Sequence, residues 1–264
     1  MKNYIFKFYR MLKELLVLPF RADAKTTIFF YKAILTSIPQ IIRDKNFGVP
    51  HSKMRGKPCV FKFFGKKILL DGVAFGYAGE IYIRKCYTHP SFTIQNDDTI
   101  VDLGASIGPF SIAAALLGKK VIAVDINKES LEKLKEQAKL NNCLDKIKIV
   151  LGAVGPNSGM CIDQIKKVPA LEFNQLLKEN NVSRVDFLKI DIEGSEFDLL
   201  ENNNGWLQKV KKIAMEVHPA YGNPKKLKEI LQGHGFNVDL KDLNGKIVDN
   251  ITDVAGGYLF AKRY

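Results

Sequence analysis

The sequence predicts an α/β fold: a seven-stranded, mostly parallel sheet with helices on both faces, preceded by a helical extension and a β-hairpin. Three observations carry this expectation. From Thr99 onward, apolar runs of strand length alternate with segments of helix length, an order that calls for crossover connections and a parallel sheet. A glycine pair, Gly104-x-x-x-Gly108, stands directly between the first of these runs and the first helix. An acid, Asp125, ends the next run 17 residues after Gly108.

Taken in chain order, Ile5, Phe8, Tyr9, Leu12, Leu15 and Leu16 recur at helical spacing, with Lys2, Lys7, Arg10 and Lys13 largely between them. This is the pattern of a basic amphipathic helix. A second helix is expected over 26–42, ended by Asn46-Phe47-Gly48-Val49-Pro50. Residues 1–50 thus form a helical extension, expected to pack on the main domain or on a second subunit, with contact to a membrane surface as the other reading. Residues 51–96 form a hairpin, 59–64 and 67–70 about Gly65-Lys66, and a connector over 80–96 without assigned structure. The main domain, 97–264, carries strands over 99–103, 120–125, 146–151, 184–190, 212–217, 236–240 and 257–262. Its helices are expected over 107–117, 128–142, 171–180, from Ser195, and over 224–232.

Composition narrows the classes. In 264 residues, 46% are apolar and 26% charged, which allows a sizeable core and excludes global disorder. The longest charge-free run, 103–118, holds three glycines and a proline and falls short of the roughly 20 apolar residues of a membrane span. Cysteines 59, 86, 143 and 161 show no Cys-x-x-Cys spacing and no histidine cluster, so four reduced thiols are expected, with neither zinc nor disulfides. Lys13 and Glu14 leave only 15–20 as an apolar stretch, too short for a signal-peptide core. A cytoplasmic location follows as the expectation, with peripheral membrane association as its variant. Residues 1–90 hold 17 Lys/Arg against 5 Asp/Glu, whereas 91–264 hold 23 of each, so the net charge of +12 resides in the first third. Such asymmetry fits a nucleic acid, an anionic membrane surface or a phosphorylated acceptor as partner.

The chemistry concentrates at the strand ends. Val101-Asp102-Leu103-Gly104-Ala105-Ser106-Ile107-Gly108 lets backbone approach a ligand at a helix N-terminus. It lacks the extra glycine that admits a dinucleotide's pyrophosphate. Asp125, at the end of the second strand, is placed to accept the hydroxyls of a ribose. Asp191 ends the fourth strand, and Glu193 lies two residues on. If the strand continues, both project to one side, as base and orienter or as ligands of a divalent cation. Glu193 has the alternative of favouring the dipole of the helix that follows. His218, at the end of the fifth strand, is a candidate general base or simply a hydrogen-bonded strand-end histidine. His51, His89 and His234 lie outside any motif and read as structural or surface residues.

Three segments together resemble a known family: 100–108 with Ala123-Val124-Asp125; Val185-Asp186-Phe187-Leu188-Lys189-Ile190-Asp191-Ile192-Glu193-Gly194-Ser195-Glu196; and Glu216-Val217-His218. They are similar to the Rossmann-like S-adenosylmethionine-dependent methyltransferases and, within them, the FkbM family. The resemblance covers roughly 80–240. It implies O-methylation of a hydroxyl on a glycan, lipid or small metabolite, with S-adenosyl-L-methionine as donor. It further implies that Asp102 orients the cofactor's methionine amino group near Gly104 and Gly108, and that Asp125 binds its ribose. Ala153 and Val154 would lie around the adenine, Ala105, Ser106 and Ile126 would line the same site, and Glu80 matches an upstream glutamate. Asp191 would face the transferred methyl, with Lys189 buried beside Asp191 and Glu193 as counter-charge. The place of an Asn/Asp-Pro-Pro-Tyr motif reads Asp191-Ile192-Glu193-Gly194, against base N-methylation. No cysteine stands near that strand end, against a covalent route. An RNA methyltransferase with a basic N-terminal clamp is the alternative enzyme. A non-catalytic cofactor-binding module is the third reading, opposed by the intact Asp102, Asp125 and Asp191.

Overall fold

The computed structural model describes residues 2–88, 91–155, 159–162, 167–252 and 256–263, without the side chains of 2–7, 9–10, 159–162 and 167. His89 and the Cys161 side chain therefore lie outside the described residues. Cys59, Cys86 and Cys143 are buried and in no disulfide.

Helices α1 (Lys2–Arg21) and α2 (Ala24–Asp44) form a hairpin, with Asp23 capping α2 by accepting from the Thr26 amide at 2.8 Å. A short α3 (Val49–Ser52) follows the predicted break. Strands β1 (Pro58–Phe63) and β2 (Lys66–Asp71) pair antiparallel. Their turn is Phe64-Gly65, one residue earlier than expected, because both central residues take positive φ, 44° and 77°. A two-residue turn of that hand matches the twist of the strands and favours glycine in second place. Then come α4 (Phe75–Ala78) and, within the unassigned connector, a π-helical turn over Gly79–Arg84.

The main sheet uses β3 (Thr99–Leu103), β4 (Lys120–Asp125), β5 (Ile147–Leu151), β9 (Phe187–Ile190), β10 (Lys212–Val217), β11 (Asn237–Lys241), β12 (Ile247–Val248) and β13 (Gly257–Lys262). Their order is β12-β11-β13-β10-β9-β3-β4-β5. The seven predicted strands are all present, and the two-residue β12 adds an eighth at the edge. β13 runs antiparallel between β10 and β11, and β5-β4-β3-β9-β10 is parallel. Strands β6 (Ala153–Gly155), β7 (Gly159–Ile162) and β8 (Lys167–Glu172) form a separate small sheet that the sequence pattern does not announce.

Helices α5 (Pro109–Leu117) and α6 (Lys128–Leu140) cover one face of the sheet. There Gln137 and Asn141 side chains accept from the Asp71 and Leu69 amides and bind the hairpin on top. Sandwiched in this way, α5 is apolar around nearly its whole circumference, as a helix buried on all sides must be. On the other face lie α7 (Phe173–Glu179), α8 (Glu196–Glu201) and α9 (Pro224–Gly233), with Trp206 fully packed. The first core runs without interruption from Leu18 of α1 and Phe30 of α2 through Phe61 and Phe75 to Ile100 and Phe187.

On α1, Glu14 and Leu18 are buried, as is Ala22 just beyond its end, with Met11, Leu15 and Val17 partly covered, while Phe8, Leu12 and Leu16 point to solvent. Ile5 and Tyr9 side chains lie outside the described residues. Of the apolar row read from the sequence, Leu15 is thus packed and Phe8, Leu12 and Leu16 are exposed. Among the described residues no helix is long and apolar enough to cross a membrane.

Candidate active site

The parallel strands reverse their order of succession between β3 and β9, and a crevice opens outside the carboxyl ends at such a switch point. The glycine turn and Asp191 meet there. Gly104 has φ +76°, and a Cβ on it would lie 1.7 Å from the Asp191 carbonyl oxygen, so this approach requires glycine. The Gly104 and Ala105 amides both donate to the Val124 carbonyl at 2.9 Å, and the Asp191 amide donates to Leu103 at 3.0 Å. These bonds lock three strand ends around one cavity of about 730 Å³, within the range of about 300–1,000 Å³ that small-ligand sites occupy.

Of the predicted cofactor residues, Glu80, Gly104, Ala105, Ser106, Asp125, Ile126, Ala153, Val154 and Asp191 line this cavity. Asp125 is aimed by backbone: Oδ2 accepts from the Ser106 amide at 2.7 Å and Oδ1 from the Asn127 amide at 2.8 Å. Each oxygen keeps a lone pair for a ligand hydroxyl. Glu80, on the π-helical turn, is held at 2.5 Å by Arg84. Ile126, Val154 and Val168 supply an apolar wall. Val168 belongs to β8, outside every strand and helix predicted from the sequence. The apolar slot, the hydroxyl-accepting Asp125 and the acidic Glu80 fit the adenine, ribose and ammonium of an adenosyl amino-acid cofactor.

Two expected contacts are corrected. Asp102 is wholly buried and outside the lining; its carboxylate accepts from the Ser111 hydroxyl at 2.5 Å and pairs with Lys189 at 3.2 Å. Burial pushes its carboxyl up, with Lys189 opposing. It holds the turn from beneath and does not reach the ligand space. Gly108, at φ +88°, is the N-cap of α5, and a Cβ there would strike Leu134 of α6 at 2.5 Å. Its role is packing. Lys189 is buried, as expected, but beside Asp102 and Asp191, not Glu193. It donates to the Gly104 carbonyl at 2.6 Å. Burial lowers its pKa, yet Asp102 and Asp191 outweigh that and hold it above the ordinary lysine value.

Strand β9 stops at Ile190, so Asp191 and Glu193 do not share a strand face. Left-handed Glu193 (φ 51°) and Gly194 (φ 103°) instead turn the chain, and the Glu193 side chain is 85% exposed. The turn nonetheless brings Asp191, Glu193 and His218 together, one ligand atom from each within 4.8 Å of the others. His218 sits behind Glu193 (3.5 Å), outside the cavity lining. Its backbone amide and Nδ1 both meet Oε1 of fully buried Glu196, at 2.8 and 2.9 Å. The Glu196 hydrogen bond, against burial, raises the His218 pKa to about 9. At neutral pH this ring is an imidazolium and a donor, not the expected proton acceptor.

Sequence reasoning missed Tyr87 and gave Glu216, part of the third family-like segment, no role. The buried Tyr87 hydroxyl lies 2.9 Å from Asp191 Oδ2 and 2.9 Å from Glu216 Oε2. One hydroxyl proton serves only one of two acceptors. Burial, then Asp191, raises the pKa of Glu216. Burial likewise holds Tyr87 well above the usual phenol value. The Tyr87 hydroxyl thus links the two carboxyl groups from behind, while the front of Asp191 meets the cavity. His51 stacks on Phe30 and pairs with Glu14 (3.2 Å), and His234 ends α9; both are structural, as expected. A second cavity of about 350 Å³ beside α1, lined by Met11, Glu14, Phe47 and His51, shares Tyr77 and Glu80 with the first.

Comparison with known proteins supplies the context. The family description "Methyltransferase FkbM domain" matches residues 102–238, more than half of the chain. A solved structure of a methyltransferase FkbM from Methylobacillus flagellatus superposes with a TM-score of 0.50 at 19% identity, over 70% of this chain and 47% of that one. It establishes the shared fold. Among curated proteins, a Drosophila melanogaster tRNA (guanine(37)-N(1))-methyltransferase is 45% identical over 88 residues, 30% of this chain and 18% of the relative. A ribosomal protein L11 methyltransferase of Desulfitobacterium hafniense is 33% identical over 84 residues, 32% of this chain and 27% of the relative. The chain thus spans less than a third of those relatives' lengths.

Proposed function

Because the chain belongs to the FkbM methyltransferase family, we propose that it is an S-adenosylmethionine-dependent O-methyltransferase acting on a hydroxyl of a small metabolite, glycan or lipid. The observation that carries this reading is Asp191, fixed by Tyr87 and Glu216 at the mouth of a cavity whose other walls suit an adenosyl cofactor. When bound, the cofactor supplies a methyl group on a positively charged sulfur. The chain's own residues do the rest. Asp125 accepts the ribose hydroxyls, Glu80 takes the ammonium group, and Ile126, Val154 and Val168 exclude water from the base. Asp191 accepts the acceptor's hydroxyl proton as the oxygen attacks, and Tyr87 keeps that carboxylate from rotating away. Catalysis of this kind is mostly positioning, with general-base help of about 10²–10⁴-fold. Imidazolium His218 pairs with Glu193 at 3.5 Å and holds it beside Asp191. A divalent cation on Asp191, Glu193 and His218 is the other use of the same groups, and a chelator that abolishes turnover would favour it.

Residues 97–264, with Glu80 and Tyr87 of the preceding connector, are assigned the cofactor and the chemistry, and 1–50 acceptor recognition or association. RNA methylation is the second reading, favoured by the basic first third and the tRNA-modifying relative. Incubation with methyl-labelled S-adenosylmethionine and separated cell fractions tests both. Label in a nuclease-resistant glycan, lipid or small-molecule fraction, lost in Asp191→Asn, is expected. Label in RNA overturns the O-methylation of a small acceptor.

A further inference from the structure

Helices α1 and α2 lie side by side, tied where the Tyr31 hydroxyl donates to the Leu15 carbonyl at 2.7 Å. Phe8, Leu12, Leu16 and Phe20 repeat every four residues along α1, on the side away from the packed Glu14, Leu18 and Ala22. On α2, Ile28, Leu35, Ile38 and Ile42, spaced seven, three and four apart, share the side opposite the buried Thr26, Phe30, Ala33 and Ser37. All eight are between 40% and 78% exposed. Scattered exposed apolar residues are ordinary, but a row of four on each of two adjoining helices is not. Exposed Lys13, Lys25, Lys32 and Arg43 border the rows. The acids of this region are all engaged: Glu14 is buried against His51 and Arg84, Asp23 caps α2, and Asp44 is held by Arg43.

We propose that this two-helix face docks on an anionic lipid bilayer, its apolar rows entering the headgroup–acyl boundary and its lysines meeting acidic headgroups. An interfacial amphipathic helix has this construction, an apolar face with a cationic border. Charge complementarity selects the occupant. Two copies joined face to face about a twofold axis would set lysine borders against each other, and like charges at an interface oppose association. A phosphate track carries its cations at the centre of contact, whereas here the centre is phenylalanine, leucine and isoleucine. The inference goes beyond the acceptor reading and stands without it.

The test is sedimentation of the full chain with vesicles of phosphatidylcholine containing about 30% phosphatidylserine, against pure phosphatidylcholine, at low and high salt. Capture by the anionic vesicles, weakened by salt, is expected. Lys25→Gln and Lys32→Gln are each expected to lower partitioning about fivefold, from about 1 kcal/mol per basic residue near the surface. Leu16→Glu and Leu35→Glu are expected to abolish capture while leaving thermal unfolding and S-adenosylhomocysteine binding unchanged. Four results overturn the proposal: no capture by anionic vesicles, equal capture by neutral ones, capture that survives both glutamate substitutions, or a concentration-dependent dimer that those substitutions dissolve. The lysine variants keep the test decisive if a glutamate variant fails to fold.

Discussion

Tyr87 joins Asp191 and Glu216 across 104 and 129 residues of sequence, and no spacing rule reaches that far. Asp125 and Asp191 were legible because each ends a strand beside a recognisable turn. Tyr87 lay in a connector with no periodicity, and only the folded chain shows what it touches. The same limit explains Asp102 and His218. Their positions at strand ends were right, but burial against Ser111 and Lys189 and the contact with Glu196 decide their chemistry. Tyr87→Phe removes the hydroxyl that orients Asp191. Turnover is then expected to fall with KM for the donor little changed. Unchanged turnover would make Tyr87 a packing residue. His218 yields a second expectation, with a definite sign. Its folded pKa of about 9 lies above the ordinary histidine value of 6.5. The stabilisation is therefore complete below about pH 6.5 and is lost as pH rises through about 9. The difference in thermal stability between the protein and His218→Asn should be widest near pH 6 and shrink by pH 9.5. A constant difference would show that the imidazolium contributes nothing.

Among elements, the strand–helix alternation through β3, β4, β5, β9 and β10 was readable because buried parallel strands are continuous apolar runs with glycine or charge at their ends. The small sheet of β6, β7 and β8 was not readable. Its strands are short, and Pro169 sits within one of them, a residue that argues against strand in sequence alone. That omission cost Val168 and with it part of the apolar cavity wall. Two glycines with similar φ separate strain from space. At Gly65, φ +77°, an added Cβ would meet nothing within 4 Å, whereas at Gly104, φ +76°, it would meet the Asp191 carbonyl at 1.7 Å. Gly65→Ala should cost only the left-handed penalty of about 1–2 kcal/mol. Gly104→Ala must part β3 from β9 and should cost ~3 kcal/mol or more. Urea unfolding of both variants checks this, and equal losses would contradict the close approach at the switch point.

Over the whole molecule, the basic first third was visible as an excess of lysine and arginine, but its attachment was not. The apolar spacing of α1 identified the helix but not which of its positions pack, because Glu14 is buried against His51 and Arg84 while Leu12 and Leu16 stay exposed. Leu18 of α1 joins the same core as Phe61 and Ile100, so the extension and the sheet should unfold together. Leu18→Ala is expected to cost about 2–5 kcal/mol and exposed Leu16→Ala within about 0.5 kcal/mol of zero. Similar losses in equilibrium unfolding would contradict the orientation of α1. The central claim is that the cavity at the β3–β9 switch point is a methyl-donor site built around Asp125. Calorimetric titration of the full chain with S-adenosylhomocysteine tests it most directly, in the unaltered protein and in Asp125→Ala. Saturable one-to-one binding is expected, weakened about 10–100-fold in the variant, the loss of charged hydrogen bonds worth about 1.5–3 kcal/mol. No heat with the unaltered protein, or equal affinity in both, would contradict the assignment of the cavity.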